Sequence, residues 1–305
     1  MTMQQPVIDE LPARPKAGSL DADIVYVGYP KAASTFIEYY LAAHGDVTVD
    51  RDALRPLYGA SMNAFERGPQ LANRGRIHVS INEKVAESVI FVGDHPRWRQ
   101  EMFTPGAWEI VRPHIRIDPH EAATRMKNAY PGAKALLVIR EQTDWLHSAY
   151  RYFLPRMPAG RRSFADFCAT PRGIVYLEAG HYDITIAAYA DAFGAGNLKV
   201  LRFEDLVRTP EQFASDLAKF IGLDGRPLPK AKANEGSTVR AAMIRKKFPI
   251  VDALPPGVRR FGGKLVSLLP GKTRTLLTAA EVQLLKSAYV LSNERTKNLI
   301  ARLGR

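Results

Sequence analysis

Residues 23–28 (DIVYVG) run directly into Tyr29-Pro30-Lys31-Ala32-Ala33-Ser34-Thr35, and this junction constrains the fold more than any other stretch. The near-continuous apolar run predicts a strand buried on both faces, as in a parallel sheet. Phe36, Ile37, Tyr40 and Leu41 then recur at helical spacing, so a helix is expected over residues 34–43, with Ser34 as its N-cap. Strand, tight loop and helix in this order open a doubly wound nucleotide-binding sheet. The first amides of such a helix lack intrahelical partners and, with the helix dipole, form an anion site. Lys31 adds a full charge, Ser34 and Thr35 add hydroxyls, and small Ala32 and Ala33 permit close backbone approach. Alanine rather than glycine at 33 predicts a loop without positive φ at that position. The spacing Gly-x-x-x-x-Gly-Lys-Ser/Thr of a Walker A loop is absent.

The remaining pattern suits one large α/β domain. Residues 135–139 (ALLVI) and 198–203 (LKVLRF) predict two more buried strands, and the alternating 76–81 (RIHVSI) predicts another. Helices are expected from Asp118-Pro119 to just before Pro131, over 143–153, 183–193 and 210–221, and after the capping-box pattern Thr278–Glu281. Residues 45–75 are expected as loop plus a short helix. Residues 93–117, rich in Pro, Trp and Arg, are expected as an insertion or a substrate-side loop, and 224–275 shows no clear order. Residues 1–20 lack an apolar h-region and are expected as a flexible arm before a single domain at 21–305. No apolar run is long enough to span a bilayer. Cys168 is the one cysteine, which excludes an intramolecular disulfide and suits a reducing, cytoplasmic setting.

A second phosphate-binding pattern follows the 135–139 strand. Arg140 ends that strand, and Ser148 lies eight residues on, within the next helix. A chain reversal brings both to the carboxyl edge of the sheet, where nucleotides bind in open α/β folds. As local structure alone, Arg140 reads as a strand-end ion pair to Glu141 or Asp144, and Ser148 as a helix-face hydroxyl. Together with Tyr-Pro-Lys-x-x-Ser-Thr, in the same order and about 110 residues apart, the pattern resembles sulfotransferases that use 3′-phosphoadenosine 5′-phosphosulfate (PAPS). The Ala-Ser-Thr variant of the loop is similar to that of glycan sulfotransferases. Gly180-His181-Tyr182, Glu204-Asp205-Leu206 and Phe220–Leu223 look like later landmarks of the family.

The resemblance implies a P-loop-NTPase-like three-layer α/β/α fold with a central parallel sheet. It implies PAPS as sulfuryl donor and adenosine 3′,5′-bisphosphate as product. Pro30, Lys31, Ala32, Ala33, Ser34 and Thr35 would hold the 5′-phosphosulfate, and Arg140 and Ser148 the 3′-phosphate. Ser237 and Arg240 would lie on a basic loop returning to the nucleotide. Lys31 would stabilise the leaving group, and Lys84 would contact sulfate or acceptor. Three residues compete for the general base: Glu83, His78 and Asp52. No metal is required on charge grounds, because a sulfuryl group carries less charge than a phosphoryl group.

Other functions fit less well. A P-loop kinase needs a hydroxyl residue directly after the loop lysine and an acid at a strand end. Here Ala32 follows Lys31, and the 135–139 strand ends in Arg140. The formal net charge of +12 permits a non-catalytic binder of anions. No nucleic-acid module or basic membrane helix is evident, so the expected partners are the nucleotide donor and an acceptor, not nucleic acid. The arginines of 45–75, 93–117 and 224–275 point to an anionic acceptor: a small metabolite, a glycan or a lipid headgroup.

Overall fold

The computed structural model describes residues 22–51, 54–55, 66–67, 77–81, 88–91, 98–223 and 276–304. The expected arm at 1–20 and the 224–275 stretch lie outside the described residues. The fold is α/β around a central parallel sheet. Its strands are β1 (Ile24–Tyr26), β2 (Val47–Arg51), β5 (Ile77–Ile81), β8 (Lys134–Ile139) and β9 (Leu198–Arg202), in the spatial order β2-β5-β1-β8-β9. Every pairing in this sheet is parallel. β1 is the middle strand and is buried throughout, as its unbroken apolar sequence requires. Two short antiparallel pairs stand apart from the sheet: β3 (Leu54–Arg55) with β4 (Glu66–Arg67), and β6 (Val89–Phe91) with β7 (Ile115–Ile117).

Two expectations are corrected here. Residues 47–51, expected within a loop-and-helix region, form the edge strand β2 against β5. The backbone of β5 supplies that partner, and Val47 and Val49 pack half-buried on the core. Residues 93–117 are not simply a loop. They hold the one-turn helices α2 (Trp98–Glu101) and α3 (Trp108–Val111) and then β7. Val89, Met102, Val111, Ile115 and Val175 give this unit a small buried cluster of its own.

Helices α1 (Ser34–Ala42) and α4 (Pro119–Ala129) precede β2 and β8, and α5 (Gln142–Phe153) follows β8. Two helices absent from the sequence reading, α6 (Phe164–Cys168) and α7 (Pro171–Ala179), come next. Then follow α8 (Tyr182–Phe193), α9 (Phe203–Arg208), α10 (Pro210–Ile221), α11 (Ala279–Ala288) and α12 (Val290–Leu303). α1 packs on α10, with Phe36 edge-on to Phe213 at 6.1 Å. α8 packs on α4 and α12. Among the described residues no helix is long and apolar enough to cross a membrane.

Local sequence sets several helix starts. The Asp118 side chain accepts from the amide of Glu121 at 3.0 Å, with Pro119 at the first helical position. Thr278 and Glu281 close a reciprocal capping box on α11. Asp118→Ala should therefore lower the unfolding free energy by about 1 kcal/mol, read from urea denaturation, with no change in the slope against denaturant.

Candidate functional site

The loop from Tyr29 to Ala33 is held by its carbonyls. The Tyr29 carbonyl accepts from the Ala32 amide at 3.1 Å, which closes a turn. The Pro30 carbonyl accepts from the indole Nε1 of Trp145 at 2.7 Å. The Lys31 carbonyl accepts from an Arg140 terminal nitrogen at 3.2 Å, and the Ala32 carbonyl from the Tyr26 hydroxyl at 3.2 Å. Three consecutive carbonyls are thus each occupied by a different side chain. Gly28 makes room for the last of these, since a Cβ there would lie 2.2 Å from the Tyr26 hydroxyl oxygen.

The backbone adopts an alternating conformation. Lys31 has φ 68° and Ala33 φ 69°, while Ala32 between them stays at negative φ. Alternating handedness turns successive amides toward one side, the geometry of an anion-binding nest. Ala33 thus overturns the expectation of a loop without positive φ at 33. It also replaces Ser34 as the N-cap, with no side chain to cap the helix, and Ser34 is the first helical residue. The left-handed region costs an alanine about 1–2 kcal/mol, and the side-chain anchors hold it there. The first turn of α1 contains no acid and no capping side chain, so its amides are left for an anion.

The rigid backing is aromatic. Trp145 is fully buried, with Tyr29 edge-on at 5.2 Å and Tyr176 stacked at 4.7 Å. The Tyr29 hydroxyl bonds the Thr185 hydroxyl at 2.9 Å, and the Tyr182 hydroxyl donates to the Arg140 carbonyl at 2.8 Å. Burial holds the Tyr182 phenol far above its usual range, so it acts as a neutral donor.

Arg140 leaves β8 at the carboxyl edge. Its guanidinium lies 4.6 Å over the Phe203 ring, and its Nε is buried without a hydrogen-bond partner. The ion pair to Glu141 or Asp144 does not form. Glu141 instead caps α5, its carboxylate accepting from the Asp144 amide at 2.8 Å, while the Glu141 amide donates to Glu204 at 2.7 Å. Ser148 lies half-buried on α5. Lys31 is exposed, with its ammonium 3.8 Å over the Tyr152 ring. The structure therefore brings the Lys31 loop and Arg140 into direct contact, across a sequence separation of 109 residues.

His78 is placed elsewhere. Its amide donates to the Asp23 carboxylate at 2.8 Å, and its carbonyl accepts from the Asp23 amide at 2.9 Å, before β1 begins. Ile81, three residues on, is level with Tyr26 at the other end of β1. His78 therefore sits about 10 Å down the strand from the carboxyl edge, and the structure does not bring it to Lys31. Asp52, Glu83, Lys84, Ser237 and Arg240 lie outside the described residues. In sequence, Asp52 and the Glu83-Lys84 pair closely follow the carboxyl ends of β2 and β5.

Sequence reasoning missed Tyr26, Gly28 and Trp145, whose roles exist only through long-range contacts. The helical spacing of α5 puts Arg151 on the same face as Ser148. Buried His147 completes that face. Its Nε2 accepts from the Leu276 amide at 3.1 Å, and burial, Arg151 and Arg140 lower its pKa to about 4.

A cradle of uncapped amides beside a cation, and a buried guanidinium nitrogen without a partner, fit the two phosphates of a 3′,5′-phosphorylated nucleotide. The model for the Sulfotransferase family matches residues 23–227. The chain belongs to the sulfotransferase family. It is an enzyme that transfers a sulfuryl group from PAPS to an acceptor. A sulfotransferase from Alicyclobacillus acidocaldarius is 18% identical, with a TM-score of 0.50, over 79% of this chain and 99% of that one. The sulfotransferase domain of the curacin biosynthetic pathway is 13% identical, with a TM-score of 0.45, over 88% and 98%. Mouse sulfotransferase SULT7A1, solved with PAP, is 11% identical, with a TM-score of 0.39, over 94% and 85%. No curated protein matches the chain.

Two outcomes follow for this sulfotransferase. Gly28→Ala displaces the Tyr26 anchor and should weaken binding of adenosine 3′,5′-bisphosphate by about 10-fold, one hydrogen bond's worth. Gly196→Ala, where no atom lies within 4 Å of the added Cβ, should bind as wild type in the same titration. The lowered pKa of His147 means that the unfolded chain binds the extra proton first as pH falls below about 6.5. Stability is therefore fully present above pH 6.5 and declines toward pH 4, by roughly 1–3 kcal/mol. Denaturation midpoints across this range should flatten in His147→Gln.

Proposed function

We propose that this sulfotransferase works in a P-loop-like, three-layer α/β/α frame and binds its donor between the Lys31 loop and Arg140. In this reading Pro30–Thr35 hold the 5′-phosphosulfate with backbone amides and the Ser34 and Thr35 hydroxyls. Arg140 and Ser148 hold the 3′-phosphate, and Ser237 and Arg240 approach the nucleotide from the 224–275 stretch. When bound, the donor supplies an activated sulfuryl group whose departure leaves charge on the 5′-phosphate of adenosine 3′,5′-bisphosphate. The Lys31 ammonium neutralises that charge, helped by the α1 amides. These groups supply the positive charge that a divalent cation supplies in many phosphoryl transfers, so the reaction runs without metal in a cytoplasmic setting.

The observation that supports this reading is the contact of Arg140 with the Lys31 carbonyl, which sets the residues of the two sequence patterns side by side. The acceptor hydroxyl or amine loses its proton to a carboxylate that follows β2 or β5 in sequence, Asp52 or Glu83, and Lys84 orients sulfate or acceptor. The acceptor is anionic. Arg156, whose guanidinium lies 4.7 Å over the same Tyr152 ring that Lys31 covers, supports this by adding a second cation near the transfer position.

Calorimetry of adenosine 3′,5′-bisphosphate, with and without Mg²⁺, tests the donor site. Metal-independent binding that exceeds adenosine 5′-phosphate and collapses in Arg140→Ala is expected. Binding of ATP with Mg²⁺ alone would overturn the reading in favour of a kinase. For the base, one of Asp52→Asn and Glu83→Gln should lose turnover by about 100-fold or more while still binding the bisphosphate. A rate indifferent to acceptor charge and to ionic strength would remove the anionic acceptor.

A further inference from the structure

Beside its buried apolar face of Trp145, Leu146, Ala149, Tyr150 and Phe153, α5 carries a polar stripe. Thr143, His147 and Arg151 recur at intervals of four, and Ser148 lies three residues before Arg151. Thr143 and His147 are buried, while Ser148 and Arg151 are half-buried. Thr143 Oγ1 and Arg151 Nε are buried without hydrogen-bond partners, as is Arg140 Nε at the end of the preceding strand. Among the described residues no carboxylate pairs with Arg140 or Arg151. The two guanidiniums are close enough for the charge of Arg140, after burial, to lower the pKa of Arg151. His147 beside them is held neutral.

Two like charges in a partly dry site, each with an orphaned donor, destabilise the fold unless an anion completes them. A phosphate dianion matches that requirement: it offers three acceptor oxygens and two charges to two forks. The amides of α1 and Lys31 already provide for one anion on the loop side. The Arg140 and α5 group provides for another.

We propose that Arg151 is a second arm of the 3′-phosphate site, paired with Arg140, and that it helps this sulfotransferase distinguish a 3′-phosphorylated nucleotide from one without that group. This rests on the reading that Arg140 faces the 3′-phosphate. Removing the 3′-phosphate from the ligand and the guanidinium from the protein, separately and together, isolates the contact.

The experiment is calorimetric titration of wild type, Arg151→Ala and Arg151→Lys with adenosine 3′,5′-bisphosphate and with adenosine 5′-phosphate. Thermal melts would confirm that each variant is folded, and the lysine variant serves if the alanine variant is not. Wild type should prefer the bisphosphate. Arg151→Ala should reduce that preference roughly 10- to 100-fold, the worth of a charge-assisted hydrogen bond, with adenosine 5′-phosphate nearly unaffected. Arg151→Lys should retain part of it. Equal weakening of both ligands would mean that Arg151 only supports the helix, and unchanged affinities would mean that it does nothing here; either overturns the proposal. A wild type without preference for the bisphosphate would instead overturn the donor-site reading itself, and this inference with it.

Discussion

The indole of Trp145 donating to the Pro30 carbonyl, from within a buried aromatic cluster, is the contact on which the site depends. Lys31 and Ala33 occupy left-handed backbone that neither residue favours. A loop of that shape would relax if its carbonyls were free to rotate. Trp145, Arg140 and Tyr26 each hold one carbonyl, and the amides are thereby turned outward. Local strain is compensated by tertiary contacts, and the result is the alternating backbone from which an anion-binding nest is built.

A comparable arrangement surrounds Arg140. Glu141 and Glu204 are the acids nearest in sequence to the ends of β8 and β9, yet neither neutralises Arg140. Glu141 is spent on capping α5, and Glu204 accepts the Glu141 amide. The Arg140 guanidinium rests on Phe203 and the Lys31 carbonyl, with its Nε unpartnered. Removing carboxylates from the reach of an arginine keeps its charge for a ligand.

Much of the fold was legible because it rests on periodicity. β1, the middle strand, and its neighbour β8 are short apolar runs, and burial on both faces writes itself into such a sequence. Of the two edge strands, β9 was legible because Leu198, Val200 and Leu201 are buried, whereas β2 was not, because its only apolar residues, Val47 and Val49, are half-buried and its pairing partner β5 is supplied from elsewhere in the chain. The helices α2, α3 and α6 are too short for a periodic signal to rise above the surrounding loop. His78 shows the corresponding limit for site residues. Its strand was recognised, but which end of that strand meets the loop depends on register against β1, and the register puts His78 at the wrong end.

By itself the sequence determined that a buried strand hands a lysine-bearing loop to a helix, and that an arginine ends a later strand. It also determined the family that these two motifs mark. The tertiary structure alone decided that Ala33 takes a glycine's conformation, that Arg140 meets the Lys31 loop, and that the Nε atoms of Arg140 and Arg151 are buried without a hydrogen-bond partner. The physical reason is range. Strand burial and helix spacing are set by neighbours a few residues away, whereas a carbonyl anchor or an unneutralised pair of charges exists only between segments that the folded sheet brings together.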